Sequence, residues 1–393
     1  MRQQLEGSQA VAEAVARCRP QVVAAYPITP QTHIIERLAQ NVADGELAAE
    51  FISAESEFAA ASIVLGAVAA GSRAFTASAS QGLLLMTEVL FNIAGLRLPV
   101  VMVCANRAVS APINIFSDHQ DSMALRDTGW IQLYVESNQE ALDTVIQAYR
   151  IAERCELPVM VCMDGFLLTH TFEPVELPEQ DAVDAFLPAF RFARSLDPAR
   201  PLTLGGGSEP DNYQEYRAAQ HRDLLAALGE IEGANEDYAH SFGRAFGNGL
   251  LDPYRLDDAE TVLLTLGSVS GAARDAVDRL RERGEPVGLL RLRCFRPFPA
   301  EALVAALAGA RRIVVFEKAL GVGAGGIVAT ELRAALHHAG WDATVGRGAM
   351  VESFVGGLGG RDVTAEIIAS LFRDTAGSGM DCRFVGLNEG DDQ

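Results

Sequence analysis

The chain has 393 residues, 49% of them hydrophobic, and a net charge of −20, enough for two or three domains of ordinary size. The acidity argues against nucleic acid or an anionic membrane as partner, and no apolar run is long and uncharged enough to span a bilayer. The opening Met1-Arg2-Gln3-Gln4-Leu5-Glu6 lacks the apolar core of a signal peptide, so the expected location is the cytoplasm.

Residues 7–16 read as a helix with small residues on one face, and 22–25 as a strand. The strand runs into Tyr26-Pro27-Ile28-Thr29-Pro30-Gln31-Thr32, where two prolines fix φ on either side of Thr29 and restrain the residues before them. A hydroxyl on a stiff strand-end turn suits gripping a small polar group, although an ordinary proline-rich turn has the same composition. A helix follows over 32–41 and a long alanine-rich helix over 55–70, then short buried strands over 74–78 and 100–104. Ser80-Gln81-Gly82 stands just past the first of these strands and Arg107 just past the second. An amphipathic helix over 139–155 and a strand over 158–163 complete the alternation. The pattern argues for a doubly wound α/β domain with active residues at strand ends.

From about 167 to 256 the pattern breaks into scattered prolines, acids and aromatics, read as a connecting arm with one helix at 213–228. A second α/β unit begins near 260, with strands over 261–267, 286–293 and 311–317 and helices over 268–283 and 298–307. Gly321-Val322-Gly323-Ala324-Gly325-Gly326 then leads into a further helix. Its spacing does not match G-x-G-x-x-G and no acidic strand end follows at about 20 residues, so no nucleotide site is assigned. The expected domains are 1–240, including the arm from about 167, then 257–375, then a loose Gly- and Asp-rich tail over 376–393. The six cysteines (Cys18, Cys104, Cys155, Cys162, Cys294, Cys382) show no C-x-x-C spacing, so neither a zinc site nor an iron–sulfur cluster is read from them.

The order of motifs is more specific than any one of them. Tyr26 to Thr32, Ser53-Ala54-Glu55-Ser56-Glu57, Phe75 to Met86, Asn106-Arg107-Ala108, Asp118-His119-Gln120-Asp121, Ser137 to Ala141 and Met163-Asp164-Gly165-Phe166 follow one another along the chain. This series resembles the α subunit of 2-oxoacid:ferredoxin oxidoreductases, thiamine-diphosphate enzymes typified by pyruvate:ferredoxin oxidoreductase. The second unit resembles the transketolase C-terminal domain, with Arg293-Cys294-Phe295-Arg296-Pro297-Phe298-Pro299 matching the family's loop before a helix. The implied architecture is a thiamine-diphosphate pyrimidine-binding domain followed by a transketolase C-terminal-like domain.

The resemblance also implies roles. Thiamine diphosphate needs a carboxylate on a nitrogen of its aminopyrimidine, and a glutamate at a helix start in apolar surroundings meets that need. Glu55 and Glu57 both fit on local grounds, as acids favoured by a helix N-terminus; the family pattern places the catalytic role on Glu57. Arg107, whose planar fork suits a carboxylate, and Thr29 correspond to the family's substrate contacts. Gln81 is placed in the cofactor pocket. Asp118-His119-Gln120-Asp121 is short of a defined metal-ligand set and is read as organising the loop and subunit interface around the site. No metal ligand is assigned to the chain. The Gly-Asp-Gly motif that holds magnesium and the diphosphate has only Met163-Asp164-Gly165 as its nearest match, with no suitable Asn downstream.

By this resemblance a β subunit supplies the diphosphate and Mg2+ site and a [4Fe–4S] cluster, and a ferredoxin-like δ subunit and a γ subunit complete the assembly. The implied reaction is oxidative decarboxylation of pyruvate with coenzyme A, reducing ferredoxin. A branched-chain 2-oxoacid, 2-oxoglutarate or an aryl glyoxylate stands as an alternative substrate. A transketolase or E1-type subunit is the remaining catalytic alternative, and a non-catalytic scaffold the other class.

Overall fold

The computed structural model describes residues 2–341, 350–374 and 382–388. The chain opens with β1 (Arg2–Glu6) and α1 (Gly7–Arg17), followed by β2 (Val22–Ala25), α2 (Thr32–Ala43), β3 (Glu50–Ser53), α3 (Glu57–Ala69), β4 (Ala74–Ser78), α4 (Ser80–Gly95) and β5 (Val101–Asn106). Next come α5 (Gln120–Ala124), β6 (Ile131–Tyr134), α6 (Asn138–Cys155) and β7 (Val159–Asp164). The connecting stretch holds β8 (Phe172–Glu176), α7 (Gln180–Phe186) and α8 (Pro210–Phe242). The second unit runs through β9 (Leu251–Tyr254), β10 (Thr261–Thr265), α9 (Val269–Arg281), β11 (Val287–Leu292), β12 (Cys294–Arg296), α10 (Ala300–Ala306), β13 (Arg312–Glu317), α11 (Ile327–His338), β14 (Met350–Val355), α12 (Ala365–Leu371) and β15 (Arg383–Phe384).

The first sheet has the order β12-β6-β7-β5-β4-β2-β3 and is parallel except for β12. Strands β4, β5, β6 and β7 are buried at every position, which is why β5 and β7 read as apolar runs instead of alternating ones. Helix α1 packs on α2 and α6, and α3 on α4. The chain leaves β2 first for β3 on one side and then for β4 on the other. The crevice beyond the carboxyl ends of β2 and β4 is therefore the topological switch point, where open α/β sheets bind ligands.

The second sheet, β15-β14-β13-β10-β11-β9, is parallel apart from β9, with its own switch point between β10 and β13. The two units are stitched together. Beyond Leu292 the chain leaves this sheet, and Cys294–Arg296 pairs antiparallel with β6 at the edge of the first sheet. The Arg293–Pro299 stretch, expected as a loop, is thus partly a strand of the other sheet, because the Arg293 carbonyl accepts from the Tyr134 amide at 2.7 Å.

Three further differences have local causes. The arm contains α8 of 33 residues, not a helix ending near 228; Gly229 and Gly233 weaken its propensity, and Ile231, Ala234 and Tyr238 hold its second half by burial. Strand β8 folds back as an antiparallel partner of β1. Of the expected loose tail, Arg383–Phe384 pairs in parallel with Phe354 and Val355 as a sheet edge, and 375–381 and 389–393 lie outside the described residues.

Candidate active site

The crevice at the first switch point is assembled from strand ends. Thr29 follows β2, Glu57 opens α3 after β3, Ser80 and Gln81 open α4 after β4, and Arg107 follows β5. Glu57 begins a helix because Ser56 caps it, the Ser56 Oγ accepting from the Ala59 amide at 3.1 Å. Glu55 precedes that cap and lies outside the helix.

The Glu57 carboxylate is 7% exposed and presses on α4. A Cβ at Gly82 would sit 2.6 Å from Glu57 Oε1 and 2.5 Å from Ser78 Oγ, so only glycine fits there. Ser78 Oγ and Gln81 Nε2 are buried without a protein partner, and no hydrogen bond or ion pair engages Glu57 among the described residues. Unpaired buried polar groups are costly and call for a partner. Here the Glu57 carboxyl and the Ser78 hydroxyl meet at one glycine, next along the chain from the unpaired Gln81 amide, at the switch point of the first sheet.

Arg107 is held by neutral groups. Its Nη1 donates to the Thr29 carbonyl at 3.0 Å and its Nε to the Asn114 carbonyl at 3.1 Å. Among the described residues no carboxylate forms an ion pair with it, although its side chain is 7% exposed and burial lowers its pKa. The remaining edge of the guanidinium is free to receive an anion.

One buried acid sets the positions of both strand ends. Asp121 accepts from the backbone amides of Ser80 and Arg107, each at 2.9 Å, from Ser122 and from Asn106 Nδ2. Burial raises its pKa, and these four bonds work against the rise. Ser80, with φ of 50°, also donates to the Ala108 carbonyl at 2.5 Å, which ties α4 to the Arg107 loop.

The matches to known proteins cover most of the chain. Residues 13–235 match the family profile described as pyruvate flavodoxin/ferredoxin oxidoreductase, thiamine-diphosphate-binding, and 259–368 match pyruvate:ferredoxin oxidoreductase core domain II. The pyruvate synthase subunit PorA of Methanosarcina barkeri is 47% identical over 394 residues, covering 98% of this chain and 96% of the relative. The chain belongs to the pyruvate:ferredoxin oxidoreductase family. The PorA subunit of Thermotoga maritima is 42% identical, covering 98% of this chain and 97% of that one. The ketoisovalerate oxidoreductase subunit VorA of Pyrococcus abyssi is 39% identical over 94% of this chain and 92% of its own. A solved 2-oxoglutarate:ferredoxin oxidoreductase from Magnetococcus marinus, with 2-oxoglutarate, coenzyme A and succinyl-CoA bound, shares the fold at TM-score 0.69 and 20% identity. This chain spans 95% of its own length and 65% of that longer one in the match.

The residues that could hold the aminopyrimidine end of thiamine diphosphate are the unpaired Glu57 carboxyl and the orphaned polar atoms of Ser78 and Gln81, with Gly82 letting Glu57 and Ser78 close on α4. The Asp118-His119-Gln120-Asp121 motif works structurally. Asp121 braces the crevice, while the other three face the second unit: Asp118 accepts from the Gly359 amide, the His119 amide donates to the Lys318 carbonyl, and Gln120 Oε1 accepts from the Leu320 amide. Asp164, the nearest match to the magnesium motif, is committed elsewhere. Its carboxylate accepts from Lys318 Nζ at 2.6 Å, Ser117 Oγ at 2.7 Å and the Ser268 amide at 2.7 Å, with His119 Nε2 at 3.1 Å. Among the described residues no group of three or more His, Cys, Asp or Glu is arranged to hold a metal.

The glycine-rich turn at 321–326 also has an internal occupant. Glu317, at the end of β13, accepts from the amides of Val328 and Ala329 at the start of α11, where an anionic ligand would otherwise sit. Three site residues were not legible beforehand. Ser78 is an unremarkable strand residue, Lys318 acts across 154 positions, and Asn114 acts through its backbone.

Proposed function

We propose that the chain is the α subunit of a multisubunit pyruvate:ferredoxin oxidoreductase. The reaction is pyruvate, coenzyme A and two oxidised ferredoxins to acetyl-CoA, carbon dioxide, a proton and two reduced ferredoxins. The observation that carries the reading is a pair of buried titratable side chains at the strand ends of the first sheet, Glu57 and Arg107, neither of which forms an ion pair among the described residues. Pyruvate is favoured over other 2-oxoacids because relatives named pyruvate synthase are 42–47% identical, against 39% for the ketoisovalerate enzyme.

Glu57 would hold the aminopyrimidine end of the cofactor through its carboxyl, and Gln81 and Ser78, whose buried polar atoms lack protein partners, would supply further hydrogen bonds. Thiamine diphosphate, when bound, supplies the carbon that adds to the 2-oxo group and accepts the electrons of decarboxylation. Arg107 and Thr29 hold the substrate carboxylate and aim its carbonyl. The diphosphate, Mg2+ and a [4Fe–4S] cluster belong to a β subunit, since Asp164 is consumed by Lys318. A ferredoxin-like δ subunit carries electrons onward, a γ subunit completes the assembly, and the assembly works in the cytoplasm. Phe58, Leu84 and Leu85, which flank Glu57 and Gly82, leave large apolar surface exposed, as a face covered by the β subunit would. Among the described residues no helix is long and apolar enough to cross a membrane.

Titration calorimetry on the isolated chain and on the co-expressed assembly tests the reading. The chain alone is expected to bind thiamine diphosphate with Mg2+ weakly or not at all, and the assembly tightly, with pyruvate-dependent ferredoxin reduction. Tight Mg2+-dependent binding by the chain alone would overturn the division of the site. A clear preference for 2-oxoisovalerate over pyruvate would overturn the substrate.

A further inference from the structure

The loop that carries Arg107 is fastened to the second α/β unit at several points, one of them the Asn114 side chain. Residues 107–118 leave β5, expose Ile113 at 79% and return to Ser117 and Asp118. The loop closes on itself where the Ala108 amide donates to the Phe116 carbonyl at 3.0 Å. Asn114 then makes three bonds in different directions. Its carbonyl accepts from Arg107 Nε at 3.1 Å, its Oδ1 accepts from the Phe116 amide at 2.7 Å, and its Nδ2 donates to the Gly359 carbonyl at 3.0 Å.

The receiving turn is shaped for this contact. Gly359 and Gly360 have φ of 60° and 81°, where side chains are disfavoured. A Cβ on Gly359 would lie 2.5 Å from Asn114 Nδ2, and one on Gly360 2.4 Å from Phe116 Cβ. The Gly360 amide donates to the Ser117 carbonyl at 2.7 Å, and the Gly359 amide to Asp118 Oδ2 at 3.2 Å. The turn follows β14, so a segment of the second sheet reaches the rim of a crevice formed by the first.

We infer that Asn114 and the Gly359–Gly360 turn are positioning elements for the Arg107 carboxylate clamp, through which the second unit sets affinity for the 2-oxoacid. The inference rests on the substrate role given to Arg107 above. The guanidinium has two fixed points, the carbonyls of Thr29 and Asn114. Asn114 holds its carbonyl in place only while its amide is anchored at both ends. Releasing that anchor frees one of the two points and lets the fork rotate away from the angle a planar carboxylate requires.

The test uses the complete assembly, with Asn114→Ala, Gly359→Ala, Arg107→Ala and the double variant Asn114→Ala/Arg107→Ala. Initial rates are measured with pyruvate and coenzyme A varied separately, and bound cofactor and thermal midpoint are recorded for each. Asn114→Ala is expected to raise the pyruvate KM roughly threefold to tenfold, the range for losing one anchoring hydrogen bond. The changes in kcat should be smaller and the coenzyme A KM should not move. Gly359→Ala acts from the other sheet and should give the same pattern, so the inference stays testable if Asn114→Ala assembles poorly. Adding Asn114→Ala to Arg107→Ala should give no further rise. If Arg107→Ala raises the pyruvate KM while neither Asn114→Ala nor Gly359→Ala does, the positioning role is wrong and the clamp stands. A further rise in the double variant also overturns it, since Asn114 would then act independently of Arg107. If Arg107→Ala itself leaves the pyruvate KM unchanged, the clamp reading fails first.

Discussion

Lys318 Nζ donates to the Asp164 carboxylate at 2.6 Å, joining the carboxyl end of β13 in the second sheet to that of β7 in the first. On the other side the Ser268 amide, just past β10, donates to Asp164 Oδ2. Asp164 therefore occupies the switch-point crevice of the second sheet, between β10 and β13. Burial works to raise the Asp164 pKa, but Lys318 and His119 overturn it and hold the carboxyl well below the usual range.

Lys318→Met should strand a buried carboxylate and destabilise the fold by about 3–5 kcal/mol. Chemical denaturation of the purified chain measures it, and Lys318→Met/Asp164→Asn should recover part of the loss. Because the folded pKa is depressed, the pair contributes stability above the unfolded carboxyl value of about 3.9 and loses it as pH falls further. A Lys318→Met midpoint equal to wild type would show that the interface does not depend on this contact.

Glu317 titrates in the opposite sense. Burial pushes its carboxyl up to about 7, against which the amides of Val328, Ala329 and Ile327 work. The unfolded chain gives up that proton near pH 4.3, so stability is fully present below that value and falls by roughly 3 kcal/mol as pH rises to about 7. Glu317→Gln should flatten this part of the stability profile. The Arg333 guanidinium also works against the rise, and Ser353 Oγ is the uncharged neighbour of Glu317 across Gly326. An identical slope in Glu317→Gln would assign the titration to another group.

Much of this architecture was legible because its periodicities are local. Buried parallel strands such as β5 and β7 show as uninterrupted apolar runs, and the strand-end positions of Thr29, Gln81 and Arg107 follow directly from them. Cys294–Arg296 reads as a loop because nothing near it in sequence records that β6, whose Leu133 pairs with Cys294, offers a free edge. The buried Glu140, with Arg291 and Arg293 at 2.6 and 2.7 Å, belongs to the same class: each residue alone is an ordinary charge, and only the packed interface pairs them. Glu55 and Glu57 were separable in the structure for a local reason, the Ser56 cap, which places one carboxylate outside the helix and the other inside.

That separation gives the test of the catalytic acid. Glu57→Gln should leave the cofactor bound in the assembled enzyme but slow exchange of its C2 proton by about 10²–10⁴-fold, the usual scale for one general acid–base group. NMR-detected exchange measures it. Glu55→Gln should exchange at the wild-type rate; slow exchange in Glu55→Gln with normal exchange in Glu57→Gln would move the role.

Arg107→Lys separates charge from geometry. Lysine keeps a cation near the crevice but cannot reach the Thr29 and Asn114 carbonyls while presenting a flat two-toothed edge to a carboxylate. The expected outcome is a raised pyruvate KM with a smaller fall in kcat, and a coenzyme A KM close to wild type. Thr29→Val should move the same constants less, because it removes a single uncharged donor and keeps the carbonyl that Arg107 uses. Steady-state rates with each substrate varied in turn distinguish the cases. An unchanged pyruvate KM in Arg107→Lys together with a weakened response to coenzyme A would place the guanidinium on the acyl-acceptor side, and the free edge of Arg107 would then face the thiol substrate's phosphates instead of the 2-oxoacid.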